Sequence, residues 1–219
     1  MLSGGNDGIF TGYLALIADR AWFRNWSASC FISVAILMGL HGAAVAREQL
    51  NLGENALPPI AHAAFCITYP RECSESAAAA SFFSEPTETL FAVLGVVNRY
   101  INKTIRPIGV TYRNVLADRW LLSPLFGNCN DYAVSKRHEL LRLGWPSGSL
   151  LLAEVVLATG EHHLVLVANA GDESFVLDNL KPDVVPLAAV AYYRWIKIES
   201  PDDPKFWIAF DSEEPPPEP

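Results

Sequence analysis

Three residues in this chain could act together as nucleophile, base and orienting acid: Cys129, His163 and Asp178. Cys129 stands where a helix should begin, in Gly127-Asn-Cys-Asn-Asp-Tyr-Ala. At a helix N-terminus the dipole and the unpaired backbone amides favour the thiolate, the form that attacks carbonyls. Such a nucleophile needs a base, and the base needs a partner that fixes its orientation. His163 and its neighbour His162 open the segment His162-His-Leu-Val-Leu-Val167, and Asp178 closes Phe175-Val-Leu-Asp178. Alternation along a strand puts His162 and His163 on opposite faces, so one imidazole at most can face Cys129. A Cys-His-Asp arrangement in this chain order would perform acyl chemistry on a peptide or amide carbonyl.

The elements that must position these residues are legible in part. Ser84-Glu85-Pro86 reads as a helix start, followed by Leu90, Val93, Leu94, Val97 and Ile101 at helical spacing, with an end before Pro107. A second helix should run from Asn128–Cys129 to about Leu143, stopped by Gly144 with Pro146 just beyond. The period then changes to two. Leu150–Ala158, His163–Asn169, Ser174–Asp178, Tyr192–Ile198 and Phe206–Phe210 read as strands. The short linkers Thr159-Gly-Glu161 and Ala170-Gly-Asp-Glu173 favour antiparallel hairpins, which could bring His163 beside Asp178. Helices first and strands afterwards is an α+β arrangement. Residues 47–83 read as loop-rich, and residues 108–127 as mixed. Lys136-Arg137 reads as a solvated helix face, His138 as an exposed or capping residue, and Glu154 and Glu161 as rim or solvent residues. Tyr192, Tyr193 and Trp195 read as sheet packing, with a peptide groove as the other use for one of them.

The block Gly127-Asn-Cys-Asn-Asp-Tyr-Ala-Val-Ser-Lys-Arg137, with His163-Leu-Val-Leu and Leu177-Asp-Asn-Leu180, resembles the bacterial transglutaminase-like cysteine proteinases. That family is similar to the LapG-type periplasmic proteases, which clip large biofilm adhesins. The likeness runs from about residue 58 to 209. It implies a papain- or transglutaminase-like fold, with a Cys-bearing helix packed on an antiparallel sheet that bears His and Asp. It further implies Cys129 as nucleophile, His163 rather than His162 as general base and acid, and Asp178 as its orienting partner. Trp120 and Asn128 would lie at the cleft and its oxyanion side, where the Cys129 amide could help bind the oxyanion.

The resemblance also raises calcium. In the calcium-dependent relatives, carboxylates flank the Cys, and they would match positions 128, 130 and 131. This chain has Asn128, Asn130 and Asp131 there, so two charges are missing, and charge count tunes calcium affinity. If Ca2+ binds, Asp131 and Asn130 are its expected ligands; otherwise no cofactor is required. The expected partners are a protein or peptide substrate in the cell envelope and a regulatory inner-membrane protein.

Compartment comes from the front of the chain. The 219 residues carry a formal charge of −8, 51% hydrophobic residues and a mean hydropathy of +0.19. The acidic balance runs against a nucleic-acid partner, whose phosphates call for the opposite sign. The high hydropathy has a local source. Arg20 and Arg24 precede the apolar run Ala28–Leu40, and Ala44-Val-Ala46 supplies a small-x-small cleavage pattern. The run is shorter than the roughly 20 residues of a comfortable membrane span. Residues 1–46 are therefore expected to be a signal peptide, with an uncleaved membrane anchor as the alternative and the membrane touched only through this segment. The domain should occupy 47–210, and 211–219 should be a disordered, acidic, Pro-rich tail.

A periplasmic or secreted location sorts the cysteines. Cys30 leaves with the leader. Cys66 and Cys73, in Phe65-Cys-Ile-Thr-Tyr-Pro-Arg-Glu-Cys73, can close a tight loop or remain two buried thiols. Cys129 is then the odd thiol, either buried and inert or kept reduced for chemistry. The expectation is an exported cysteine peptidase that cleaves a protein substrate through a thioester. Its rivals are acyl transfer to an amine, as in transglutaminases, and a non-catalytic periplasmic binding module of the same fold.

Overall fold

The computed structural model describes residues 52–75, 85, 87–108 and 118–211. The leader over 1–46, the helix-start residues Ser84 and Pro86, and the tail from 212 onward lie outside the described residues. The elements are, in chain order, β1 (Leu52–Ala56), α1 (Ile60–Thr68), α2 (Thr87–Thr104), β2 (Arg106–Pro107), β3 (Phe126–Gly127) and α3 (Cys129–Arg142). They continue with β4 (Leu150–Val156), β5 (His162–Ala170), β6 (Glu173–Leu177), β7 (Val185–Pro186), β8 (Arg194–Glu199) and β9 (Trp207–Phe210). Seven strands form one sheet in the order β1-β9-β8-β4-β5-β6-β7, and every pairing in it is antiparallel. This is the expected α+β architecture, with the Cys-bearing helix packed on an antiparallel sheet. Among the described residues no helix is long and apolar enough to cross a membrane.

Alternation in the central strands explains why the sheet is covered on both faces. Leu150 and Leu152 of β4, with Leu164, Leu166, Ala168 and Ala170 of β5, join one apolar cluster with Leu94, Val97 and Ile101 of α2 and Tyr132, Ala133 and Leu140 of α3. The intervening residues Leu151, Ala153, Val155, Val165 and Val167 join a second cluster with Val190, Tyr193 and Ile198. Each strand therefore buries both sets of side chains, a strong source of hydrophobic stabilisation at about 25 cal/mol per Å2 of apolar area.

The region 47–83 is less loop-like than its composition suggests. It contains β1, paired with β9 at the sheet edge, and the helix α1, which starts directly after Pro59. Pro58-Pro59 reads as a breaker, yet a proline just ahead of a helix costs no hydrogen bond, because the first amides of a helix have no intrahelical partner. Cys66 on α1 and Cys73 are joined by a disulfide with Cα atoms 5.4 Å apart. Cys129 is the free cysteine among the described residues.

The helix α3 also departs from expectation. Lys136 and Arg137 are 1% and 2% exposed rather than solvated. The charge pattern does not reveal that α3 is wrapped by other elements on several sides. Arg137 resolves its burial by donating from Nε to Leu150 O at 3.0 Å and from a terminal nitrogen to Glu72 O, with Glu199 3.5 Å away. Lys136 lies over the Tyr132 ring, 6.0 Å from its centroid. Desolvation lowers its pKa to about 7, against the pull of the Asp178 charge.

Candidate active site

Cys129 owes its placement to a capping box. Asn128 is the N-cap: its Oδ1 accepts from the amides of Asn130 at 2.9 Å and Asp131 at 3.4 Å. Asp131 reciprocates, with Oδ2 accepting from the Asn128 amide at 2.9 Å. The approach to the cap is tight. A Cβ at Gly127 would stand 2.8 Å from Asp131 Cβ and 3.0 Å from Ile105 Cγ2, so the chain can pass there only as glycine. The short parallel pair β2–β3 and the Tyr132 hydroxyl, which donates to Ile105 O at 2.6 Å, lock this entry to the end of α2. At the far end Gly144 turns the chain with φ 90°, where the left-handed region favours glycine.

The same helix turn organises the preceding segment. Asp131 Oδ1 accepts from the Leu121 amide at 2.8 Å, and Ser135 Oγ accepts from the Ser123 amide at 2.7 Å. Trp120 is thereby held in the core, 4% exposed, while its edge lines a cleft of about 470 Å3. Trp120 belongs to the core cluster and also lines the cleft. The Asn128 side chain, expected at the oxyanion side, is instead spent on the cap and on a 3.5 Å contact with Asp118.

His163 and Asp178 meet across the β5–β6 hairpin. His163 Nε2 and Asp178 Oδ1 are 2.8 Å apart, and the two side chains are 5% and 2% exposed. The same imidazole lies close enough to Cys129 for the sulfur to raise its pKa, while the thiol's own hydrogen bond goes to Asn130 Oδ1, 3.7 Å away. Burial works against a charged ring, but the hydrogen bond and charge of Asp178, with the nearby Cys129 sulfur, outweigh it. The His163 pKa is pushed up to about 9. Burial alone would raise the Asp178 carboxyl; the His163 hydrogen bond and charge, the Tyr193 hydroxyl and the Leu180 amide bring it below its usual range. His162 points elsewhere. It is 65% exposed at the cleft rim, with Nδ1 2.5 Å from Glu154 Oε1, and Lys197 Nζ sits 3.2 Å from the other oxygen of that carboxylate.

Two groups of residues at the site had no signal in the sequence. Tyr193 reads as sheet packing, yet its hydroxyl donates to Asp178 Oδ2. Asn98 and Asn102 lie on α2. Their amides donate to the carbonyls of Lys181 and Pro182, and of Asp178 and Lys181, so α2 clamps the turn that carries Asp178. These partners are 76 to 84 positions away in sequence, and no local pattern encodes them.

A family model described as bacterial transglutaminase-like cysteine proteinase matches residues 52–215. The chain belongs to this family. This proteinase is thus a cysteine peptidase of the transglutaminase-like fold. Among solved structures it is similar to LapG of Legionella pneumophila at 22% identity, with a TM-score of 0.45 over 57% of this chain and 70% of that one. A calcium-bound form of that protein aligns at 0.47 over 59% and 73%, and an EGTA-treated form at 0.44 over 57% and 68%, both at 22% identity. Among curated proteins none matches.

The side chains beside Cys129 do not fit a calcium ion as they stand. Both Asp131 oxygens accept backbone amides, and Asn128 Oδ1 accepts two. Burial raises the Asp131 pKa; its two amides pull it down, and the Asp118 charge adds to the rise. The other carboxylate, Asp118, is faced by N–H donors: Asn130 Nδ2 at 2.9 Å, Trp120 Nε1 at 3.2 Å and Asn128 Nδ2 at 3.5 Å. N–H groups thus already face the Asp118 carboxylate, where a cation would need oxygen ligands instead. Among the described residues, the one group of His, Cys, Asp and Glu side chains close enough to share an ion is His62, Cys66 and Cys73, and the disulfide takes both sulfurs.

Proposed function

We propose that this proteinase is an exported peptidase that cleaves a protein substrate in the cell envelope through a thioester on Cys129. The observation that carries the reading is the buried imidazole of His163, hydrogen-bonded to Asp178 and close enough to Cys129, at the start of α3, for the sulfur to raise its pKa. In this reading the Cys129 thiolate attacks the scissile carbonyl carbon and a C–S bond forms. The C–N bond then breaks, and the His163 imidazolium gives its proton to the leaving amine. Water, deprotonated by His163, attacks the thioester and releases Cys129. Asp178 keeps the ring in one orientation throughout and stabilises its charged form. The Cys129 amide at the N-terminus of α3 supplies an oxyanion donor. The cleft beside His163 takes the peptide, with Trp120, Leu164 and Pro59 as apolar wall and Glu154, Lys197 and His162 at the rim. Export rests on the leader pattern over 1–46. The reading uses no calcium, because the residues flanking Cys129 are committed to amides.

The test compares envelope proteins from cells carrying the wild-type chain and the Cys129→Ala chain, with the melting temperature as control for folding. The expected outcome is one or more proteins processed only when Cys129 is present. Processing that continues in the folded Cys129→Ala chain removes Cys129 as nucleophile. An amine-labelled substrate with no cleavage replaces hydrolysis by acyl transfer.

A further inference from the structure

We infer that Tyr193 is a positioning residue for this site: its hydroxyl holds the Asp178 carboxylate so that Oδ1 faces His163 Nε2. This rests on the Cys129-His163-Asp178 reading above and extends it to a residue from outside the hairpin. Asp178 is 2% exposed, so each of its oxygens must find donors within the protein. Oδ1 receives His163 Nε2 at 2.8 Å and the Leu180 amide at 2.9 Å. Oδ2 receives the Tyr193 hydroxyl. A carboxylate held at both oxygens cannot turn about its Cβ–Cγ bond without breaking one hydrogen bond or the other. The Tyr193 ring also sits against the imidazole, with centroids 6.1 Å apart, and it packs edge-on to Tyr192 at 4.5 Å. Tyr192 in turn lies under Lys181 Nζ at 5.1 Å, on the turn that follows Asp178. Tyr193 therefore touches both members of the His-Asp pair and is braced from the side away from them. The other charged or titratable groups that feel this pair are Cys129, Lys136 and Tyr192.

The contribution is separable from packing, because Tyr193→Phe removes the hydroxyl and keeps the ring. The test follows the His163 ring by NMR titration in the full chain, wild type and Tyr193→Phe, and measures iodoacetamide alkylation of Cys129 at pH 7. In Tyr193→Phe the expected outcome is a His163 midpoint lower by about one pH unit, a modest share of the hydrogen-bond contribution to that ring. Alkylation at pH 7 should stay near the wild-type rate, since a ring with a midpoint of about 8 is still about nine-tenths protonated there. An unchanged midpoint reduces Tyr193 to packing and overturns the inference. A higher midpoint also overturns it, because the hydroxyl would then be competing with His163 for the carboxylate. A measurement on the wild type needs no variant: the Tyr193 hydroxyl proton should resist exchange with water, and free exchange overturns the inference. A wild-type His163 that titrates near an ordinary histidine overturns the triad reading itself, and so tells the two failures apart.

Discussion

At the scale of single residues, the proton on His163 governs both stability and chemistry. Its native pKa of about 9 lies above the ordinary 6.5, so the folded chain binds this proton more tightly than the unfolded one. The resulting stabilisation is fully present below about pH 6.5 and is lost as pH climbs through about 9. The difference in melting temperature between wild type and His163→Ala should therefore shrink across that window. Peptidase activity should fall above about pH 9, where the imidazolium that protonates the leaving amine disappears. His163→Ala should abolish turnover and His162→Ala should leave most of it, because His162 faces Glu154 at the rim; the reverse pattern would exchange their roles. The candidate residues were legible at this scale because strand alternation separates adjacent histidines and a helix start marks the cysteine. Tyr193 was not legible: its partner lies 15 positions away, across a turn and the short strand β7.

At the scale of elements, the N-terminus of α3 is a joint made of amides and carboxylates. Asp131 holds both the cap and the Leu121 amide. Asp131→Ala should cost about 1–3 kcal/mol, the range for losing a cap and leaving a buried amide unpaired, and should be read by denaturant unfolding. Because the Asp131 and Asn128 oxygens already accept backbone amides, added calcium and EGTA should leave the melting temperature of the wild type unchanged; a rise with calcium would show that these side chains turn to admit the ion. The element boundaries that capping and glycine chemistry mark, α3 from Cys129 to Arg142 above all, lie close to where the sequence places them. The strands β4 to β6 do as well, since their linkers are too short for anything but hairpins. What escapes local reading is contact order. The helix α1 hides behind a Pro-Pro pair, and the solvation of α3 depends on what covers Lys136 and Arg137.

At the scale of the whole molecule, buried polar links tie distant segments to the helix that carries Cys129. Glu199 of β8 meets His62 of α1 at 2.9 Å and the Leu152 amide of β4 at 2.9 Å. The loop closed by Cys66 and Cys73 offers Glu72, whose carbonyl receives Arg137 and whose carboxylate meets His138 at 2.6 Å. The disulfide thus anchors the segment that braces the far side of α3. Replacing both cysteines by serine removes about 2.5 kcal/mol of loop-closure stabilisation. In a domain of this size that should lower the melting temperature by about 5–10 °C, measured by calorimetry, with Cys129 still alkylated by iodoacetamide at its former rate. The pairing of β1 with β9 has a different kind of consequence. Leu52 and Phe210 are partners across one ladder, so the first and last strands of the sheet end side by side. The order in which the segments are written along the gene is then not essential to the architecture. A short linker could splice Phe210 to Leu52, and new ends could be cut at Gly160, a hairpin tip with open space around it. Such a rewired chain would keep the sheet pairings and would carry its termini beside the mouth of the cleft.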